Sequence, residues 1–314
     1  MSDHFDGRHF FNYGDTKPRG FGGAILWMAT RDRGVWRRFR DEAHGDPPPP
    51  FVEDMRVTFV NHATVLVQMA GRNVLTDPVW SERVSPVAGV GPRRVRPPGI
   101  RFEDLPRIDA VLVSHNHYDH MDLPTLKRLS RRDAPWVLSG LGNRAFLSPR
   151  GIAHAADLDW WETSELGPGF SVTSVPVQHF SGRGTGDRNA TLWTGFVVSG
   201  SSGDVFFAGD TGYGPHFSRI RERFPRLRLA ILPIGAYRPE WFMSPVHQNP
   251  EEAIRAQRDL GATTAVGMHF GTFELTDEGE DEPALEIERL LRAAPEPKPR
   301  FWVLGFGEGR DVPS

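Results

Sequence analysis

Residues 111–122 read VLVSHNHYDHMD, and the interpretation of the chain begins with this stretch. It places three histidines and two aspartates directly after a short apolar run that is typical of a buried strand. Imidazole nitrogens spaced two and three residues apart can converge on one ion, as a zinc-like metal requires. The stretch therefore predicts a metal site at the end of a strand and disfavours a loop of solvated histidines.

Other strand-like runs along the chain are followed by the same types of side chain. His179, Asp210 and His269 each come after an apolar run, as His115 does. Strand ends in α/β proteins gather along one edge of a sheet, which is where sites form. One ion takes about four ligands, so the five groups in the opening stretch are too many for a single site. We therefore expect the groups to be shared between ions.

The amino-acid composition limits which metal ligands, nucleophiles and binding partners the chain can have. The chain has no cysteine, which excludes disulfides, thiolate metal ligands and a cysteine nucleophile, so any metal must use His, Asp or Glu. A net charge of −3 disfavours a general nucleic-acid binder, because such proteins carry a basic excess. With 39% hydrophobic residues, the 314-residue chain can build a sizeable core in one large or two ordinary domains.

The chain divides at a proline-rich linker, DPPPP at 46–50, which we expect to be extended. Residues 1–54 look irregular and are expected to be an N-terminal extension that packs on a catalytic domain spanning 55–314. Strands come first and then alternate with helices, which is typical of an α/β protein whose sheets are covered by helices. The predicted strands are 56–60, 64–69, 73–77, 108–114, 136–140, 171–178, 191–199, 204–209, 227–234 and 263–268, and the predicted helices are 123–132, 215–223, 250–260 and 283–293.

The candidate ligands also carry a family resemblance. HNHYDH at 115–120, with His179, GDTGY at 209–213 and His269, resembles the metallo-β-lactamase superfamily. More narrowly, stretches over about residues 55–275 resemble the N-acyl-phosphatidylethanolamine-hydrolysing phospholipases D and their bacterial relatives. These stretches are HATVLV (62–67), LTDPVWSERVSP (75–86), LDWWE (158–162), GDTGYGPHF (209–217), LPIGAYRPEWFM (232–243), HQNPEEA (247–253) and MHFGTF (268–273).

The resemblance implies a fold and a ligand set. The fold is an αββα sandwich, with two mixed β-sheets flanked by helices and two divalent metal ions at one edge. The resemblance implies that the first ion is bound by His115, His117 and His179. The second ion would be bound by Asp119, His120 and His269, and Asp210 would bridge both ions. Zinc is the expected metal and iron or manganese the alternative, because imidazole and carboxylate ligands suit all three.

A pair of such ions suggests the reaction. Two divalent ions about 3.5–4 Å apart lower the pKa of water enough to supply a hydroxide nucleophile at neutral pH. They also stabilise charge on the oxygens of a phosphodiester. We therefore expect a phosphodiesterase of the phospholipase D type, acting on N-acyl-phosphatidylethanolamine-like substrates. A lactonase or other ester or amide hydrolase is the alternative, and a non-catalytic metal-binding scaffold is a further one.

Residues beside the ligands are expected to assist. His247 precedes a predicted helix and is expected either to contact the substrate phosphate or leaving group or to orient a ligand. Asp119 can also orient or deprotonate the attacking water. His62 and Tyr213 are candidate substrate contacts. Asp77 is expected to support a ligand histidine.

The expected partner is a phosphodiester or phospholipid substrate rather than nucleic acid, and a homodimer is left open. Basic clusters at 31–40, 92–101 and 127–132 are either solvated faces or attract anionic head groups. The apolar stretch 21–29 is too short to span a membrane and lacks the flanks of a signal peptide. We expect a cytoplasmic protein, and peripheral membrane contact through this stretch is the alternative to ordinary packing.

Overall fold

Two seven-stranded sheets stack face to face in the computed structural model, which describes residues 2–14, 19–87 and 89–314. The first sheet contains β1 (Met55–Asn61), β2 (Thr64–Met69), β3 (Arg72–Thr76), β4 (Ala110–Val113), β5 (Trp136–Gly140), β6 (Ala155–Leu158) and β14 (Gly309–Asp311). The second contains β7 (Thr163–Gly167), β8 (Phe170–Val175), β9 (Gly195–Gly200), β10 (Gly203–Phe207), β11 (Leu227–Pro233), β12 (Thr264–Met268) and β13 (Phe301–Trp302).

The two sheets repeat one topology. Their strand orders are β14-β1-β2-β3-β4-β5-β6 and β7-β8-β9-β10-β11-β12-β13. Each order begins with three antiparallel pairings and ends with three parallel ones. Because parallel strands end on the same side of a sheet, the residues that follow them are brought to a common edge.

Both faces of the first sheet are buried, which explains its continuous apolar runs. Val65 and Val67 of β2 pack in the core between the two sheets. Leu66, from the same strand, lies in a second cluster with Leu126 and Leu129 of the helix that covers the outer face. Successive side chains of a strand point to opposite faces, so a strand covered on both sides is apolar throughout.

The described residues form seven α-helices, and several of these pack against the sheets. They are α1 (Phe21–Ala29), α2 (Leu123–Arg132), α3 (Asn143–Leu147), α4 (His216–Arg223), α5 (Glu240–Met243), α6 (Pro250–Leu260) and α7 (Glu282–Ala293). Short 3-10 turns lie at Phe102–Asp104 and Ser148–Arg150. In the part of the chain that is described, no helix combines the length and apolarity needed to cross a membrane.

The predicted bounds of α2 and α6 are confirmed, and those of α4 and α7 are correct to within one residue. The start of α6 shows why. Asn249 accepts a hydrogen bond from the backbone of Glu252, whose side chain bonds back to Asn249, and Gly261 ends the helix at φ 66°. This capping box satisfies backbone groups that the first turn leaves free, so the sequence alone marks the helix.

The expectation that residues 1–54 are irregular was wrong at α1, although the rest of this segment forms no other helix or long strand where it is described. The prolines at 46–50 are also more than a spacer. The Gln68 side chain donates to the Pro49 carbonyl oxygen at 2.7 Å, and the Asn73 side chain donates to that of Pro50 at 3.0 Å. The last two residues of the linker are therefore attached to β2 and β3.

Candidate metal centre

The predicted ligands lie together at one edge of the sandwich. His115 and His117 follow β4, Asp210 is the third residue after β10, and His269 follows β12 directly. His179 is the fourth residue after β8 rather than the first, because Pro176 has no backbone N–H with which to continue the strand. Strand ends from both sheets thus contribute to a single site.

The first cluster consists of three imidazoles, of which His115 and His179 are buried and His117 is partly exposed. Nδ1 of His117 lies 2.7 Å from Nε2 of His115 and 3.4 Å from Nε2 of His179. Burial lowers the pKa of His117 to about 4 and holds the pKa values of His115 and His179 well below the usual range. All three rings are therefore neutral at pH 7, which is the form that binds a metal.

The second cluster surrounds the Asp119 carboxylate. Its Oδ2 lies 3.1 Å from Nε2 of His62, 3.4 Å from Nε2 of His120 and 3.5 Å from Nε2 of His269. Asp210 lies between the two clusters. Its carboxylate oxygens are 3.2 Å from His120 Nε2, 3.2 Å from His269 Nε2 and 3.8 Å from His179 Nε2.

The second cluster stabilises positive charge. Burial lowers the pKa of His269, but the Asp210 and Asp119 carboxylates outweigh it and raise that pKa to about 9. Burial likewise opposes a charge on His120, yet Asp210 and Asp119 raise the pKa of His120 well above its ordinary value. In turn, His120 outweighs the burial of Asp119 and Asp210 and holds the pKa of each carboxyl well below its usual range.

The donor set fits a metal. Among the described residues, Nε2 of His120, Nε2 of His269 and Oδ1 of Asp210 are buried and have no hydrogen-bond partner. These atoms lie close together without bonding to one another, as groups that share a cation do. Ring nitrogens and carboxylate oxygens are ligands that zinc, iron and manganese all accept.

Three of the candidate ligand histidines are oriented by their second ring nitrogens. Nδ1 of His120 lies 2.6 Å from Oδ2 of Asp77, as expected of this aspartate from the sequence. Nδ1 of His115 lies 2.9 Å from Oγ of Ser114, and Nδ1 of His179 donates to the Val246 carbonyl oxygen at 3.0 Å. In each of these rings Nε2 therefore faces the site. A hydrogen bond at Nδ1 fixes the tautomer of the histidine and leaves Nε2 as the nitrogen that can bind a metal.

Two glycines allow the strand ends to approach each other. A Cβ on Gly209, the residue before Asp210, would lie 2.4 Å from the Cβ of Ser114, and its φ is 59°. A Cβ on Gly235 would lie 2.0 Å from the carbonyl oxygen of His269. Only glycine fits at either position, which explains the first residue of the GDTGY stretch in physical terms.

A cavity of about 760 Å³ opens over the clusters. Its floor contains His117, Asp119, Asp210, His247 and His269. Much of its wall is apolar and includes Trp27, Phe180, Phe242, Met243 and Leu275. Two arginines, Arg19 and Arg188, also line the cavity.

His247 lies in the cavity, whereas His62 and Tyr213 do not line it. Nδ1 of His247 is 4.0 Å from Oδ2 of Asp210. His62 is buried behind Asp119, and its carbonyl oxygen accepts the backbone N–H of His269 at 2.7 Å. His62 therefore holds the turn and orients Asp119, and its Nε2 belongs to the donor group of the second cluster.

The substrate contact predicted for Tyr213 does not match its position. The Tyr213 hydroxyl donates to the carboxylate of Asp259 on α6, and the Arg255 guanidinium lies over its ring. The side chain thus ties the GDTGY stretch to α6 instead of reaching the cavity.

Sequence reasoning missed both arginines of the cavity. Arg188 lies in the loop GRGTGDRN at 182–189, and its guanidinium packs 4.5 Å from the Phe180 ring. Burial lowers the pKa of Arg188, and no carboxylate pairs with it among the described residues. The sequence signal that could have identified Arg188 is an arginine in a glycine-rich loop after a candidate ligand histidine.

The predicted basic clusters are largely neutralised by ion pairs. Arg31 pairs with Asp277 at 2.6 Å, and Arg128 pairs with Glu103 at 2.6 Å. Arg37 lies 3.0 Å from Glu280. These arginines therefore do not provide the free positive charge that attraction to head groups requires.

Comparison with known proteins gives matches in both sequence and structure. Residues 72–270 match a family model described as the β-lactamase superfamily domain. Over 258 residues, the chain is 37% identical to N-acyl-phosphatidylethanolamine-hydrolyzing phospholipase D 1 of Caenorhabditis elegans, covering 78% of this chain and 72% of the relative. It is also 37% identical to the mitochondrial enzyme of that name from Saccharomyces cerevisiae, over 70% of this chain and 48% of the relative.

A solved structure shares the fold. A metallo hydrolase from the archaeon Ignicoccus hospitalis aligns with 83% of this chain and 99% of its own chain. The TM-score is 0.61 and the sequence identity is 21%. The αββα arrangement expected from the sequence is thus confirmed.

Proposed function

This chain belongs to the β-lactamase superfamily and is a metal-dependent hydrolase, and from that premise we propose that it is a phospholipase D-type phosphodiesterase. Its proposed substrates are N-acyl-phosphatidylethanolamine-like phosphodiesters. The proposed cofactors are two divalent metal ions, with zinc as the first choice. The proposed ligands are His115, His117, Asp119, His120, His179, Asp210 and His269.

One observation supports this proposal above the others. The cavity places two arginines, Arg19 and Arg188, and an extended apolar wall over the same cluster of candidate ligands. Arg188 offers charge to a phosphate, while Trp27 and Phe242, whose rings stack at 5.3 Å, offer apolar area to acyl chains. A substrate with one anionic and one hydrophobic part would use both features.

The metal ions and the side chains of the protein would contribute different parts of the reaction. Divalent ions, when bound, supply Lewis acidity and lower the pKa of water, so no protein nucleophile is required. Asp119 lies in the floor of the cavity, where it can orient the attacking water. His247 lies 4.0 Å from Asp210 in the lining of the cavity and can donate a hydrogen bond to an oxygen of the substrate phosphate.

The test is a substrate panel. The metal-loaded protein should release phosphatidic acid and an N-acylethanolamine from an N-acylated phosphatidylethanolamine, measured by mass spectrometry. Lactones and uncharged carboxylic esters should be hydrolysed much more slowly. Faster turnover of a lactone than of any phosphodiester would replace the assignment with the ester-hydrolase alternative.

Arg188→Ala is expected to raise KM for an anionic phosphodiester about tenfold, because one hydrogen bond to a charged group contributes roughly 1.5–3 kcal/mol. KM for an uncharged ester should not change. Arg188→Lys should retain part of the effect, since it keeps the charge but loses the planar fork. Arg128→Ala, which removes an arginine paired with Glu103, is the matched control. Equal changes in KM for the anionic phosphodiester and the uncharged ester would show that Arg188 does not interact specifically with the phosphate.

His247→Ala is expected to lower kcat about 10²-fold, the effect of removing one hydrogen-bond donor from a charged transition state. His247→Gln should recover part of that loss because its amide can still donate. Metal content, measured by elemental analysis, should stay at the wild-type level in both variants. A loss of metal that matches the loss of rate would instead assign His247 to metal binding.

The cavity wall suggests how a lipid reaches the site. Leu26 and Met28 of α1 are 54% and 62% exposed beside Trp27, which lines the cavity. We therefore extend the proposal to a peripheral membrane contact through α1. An apolar side chain buried in an interface contributes roughly 1.5–3 kcal/mol.

Leu26→Asp is accordingly expected to weaken binding to phospholipid vesicles about tenfold in a sedimentation assay. Leu285, which is 58% exposed on α7, provides the matched control Leu285→Asp. Hydrolysis of a short-chain, water-soluble phosphodiester should be the same in both variants. Equal vesicle binding by the two variants would contradict a role for α1.

A further inference from the structure

A side chain near the N-terminus holds the backbone of a candidate ligand. Asn12 is buried, at 8% exposure, although it lies in the segment that was expected to be an irregular extension. Its Nδ2 donates to the carbonyl oxygen of His179 at 2.9 Å, and the His179 backbone N–H donates to its Oδ1 at 3.1 Å. One amide side chain thus satisfies both backbone groups of His179.

His179 depends on this pair because it lies beyond the sheet. β8 ends at Val175, so no strand neighbour bonds to the backbone of His179 among the described residues. The preceding residue, Gln178, is held by the Asp210 loop, since its carbonyl oxygen accepts from Gly212 N–H at 2.9 Å. The Asn12 amide therefore fixes the backbone of His179, while the Val246 carbonyl fixes its ring.

Asn12 is itself held firmly. The indole N–H of Trp193 donates to Asn12 Oδ1 at 3.0 Å. Upstream, His4 is 1% exposed and stacks on Trp160 with ring centroids 3.9 Å apart. The backbone N–H of Phe10 donates to a carbonyl oxygen in the loop that follows His179, at 2.8 Å. These contacts give the amide one orientation, which a positioning group requires.

We propose that Asn12 is a positioning residue that sets the place of His179 in the metal centre. The inference rests on the proposed role of His179 as a ligand and does not depend on the substrate. Partners that orient a metal ligand typically account for 10–100-fold in metal affinity. Loss of the Asn12 amide should leave the His179 imidazole intact while freeing its backbone.

The test measures zinc affinity of the folded, full-length protein by competition with a chromophoric chelator. Asn12→Ala is expected to weaken zinc binding 10–100-fold and to change the visible spectrum of the cobalt-substituted protein. Asn12→Asp keeps the side-chain volume and both acceptor bonds but loses the bond to the His179 carbonyl. Asn12→Asp should weaken zinc binding as well. Because it preserves packing, such a loss would be due to positioning, and this variant also replaces Asn12→Ala in the test if the alanine variant does not fold.

Arg8→Ala, an exposed change in the same segment, should leave zinc affinity unchanged. His179→Ala is the reference for loss of the ligand. If His179→Ala leaves zinc affinity intact, the ligand assignment fails and this inference fails with it. If His179→Ala weakens zinc binding but the folded Asn12 variants keep a zinc affinity within twofold of wild type, only the positioning role is overturned. A lower melting temperature of the metal-free Asn12 variants would not change that conclusion.

Discussion

Asp210→Ala should lower kcat/KM by at least about 10³-fold and deplete the protein of metal, because this carboxylate is proposed to bind both ions. Its oxygens lie 3.2 Å from His120 and His269 and 3.8 Å from His179, so it is the residue that connects the two clusters. Elemental analysis of the purified variant and steady-state kinetics with a phosphodiester measure the two effects. A chelator should inactivate the wild-type protein similarly, and zinc should restore it.

Two further variants sharpen this prediction. Asp210→Asn keeps the shape and one acceptor oxygen but removes the charge, so metal loss in it would show that the charge is required. Asp204→Asn changes an aspartate at the opposite end of β10 and should leave metal content and activity unchanged. Metal content near wild type in Asp210→Ala, with activity within tenfold, would contradict the bridging role.

The positions of the candidate ligands could be predicted because these residues follow strand ends. An apolar run such as 108–114 reads as a strand buried on both faces, and the polar residue that follows it must leave the sheet at its edge. His115 and His269 show this directly, each lying within two residues of its strand. α6 was equally predictable, since its cap at Asn249 is encoded in neighbouring residues.

The cavity wall could not be predicted in this way. α1 has no side-chain cap at Gly20, and its Trp27 packs on Phe242, which is more than 200 residues away in the sequence. Tertiary contacts of this kind decide a helix when local signals are weak. Arg188 was missed for the same reason, because only the folded loop shows that none of the described carboxylates pairs with it and that Asp187 bonds to the backbone of Arg183 and Gly184 instead.

Tyr213 shows the limit of arguing from sequence proximity. It is three residues from Asp210, yet its hydroxyl donates to Asp259 on α6. Distance along the chain limits where a Cα can lie but does not fix the direction of the side chain. His62 is the converse case, since it lies more than 50 residues before Asp119 and its ring contacts that carboxylate.

Asp77→Ala should produce the largest loss of stability, about 3–5 kcal/mol in the free energy of unfolding, because it removes a fully buried hydrogen-bonded partner. The Asp77 side chain is 0% exposed. It accepts from Ser114 N–H at 2.7 Å and from Ser114 Oγ at 2.6 Å, and it lies 2.6 Å from His120 Nδ1. Denaturant unfolding of the metal-free variant measures the loss directly.

Asp77→Asn distinguishes the two causes of that loss. Asp77 has φ 30°, a conformation that asparagine adopts more readily than alanine, so the alanine variant also carries backbone strain. The asparagine variant keeps one acceptor oxygen and should lose less stability. It should still bind zinc more weakly, because it removes the negative charge behind His120 and its single acceptor oxygen cannot accept from both the Ser114 N–H and His120 Nδ1. If Asp77→Ala unfolded within about 1 kcal/mol of wild type, the buried carboxylate would not be stabilising the strand end that carries the ligands.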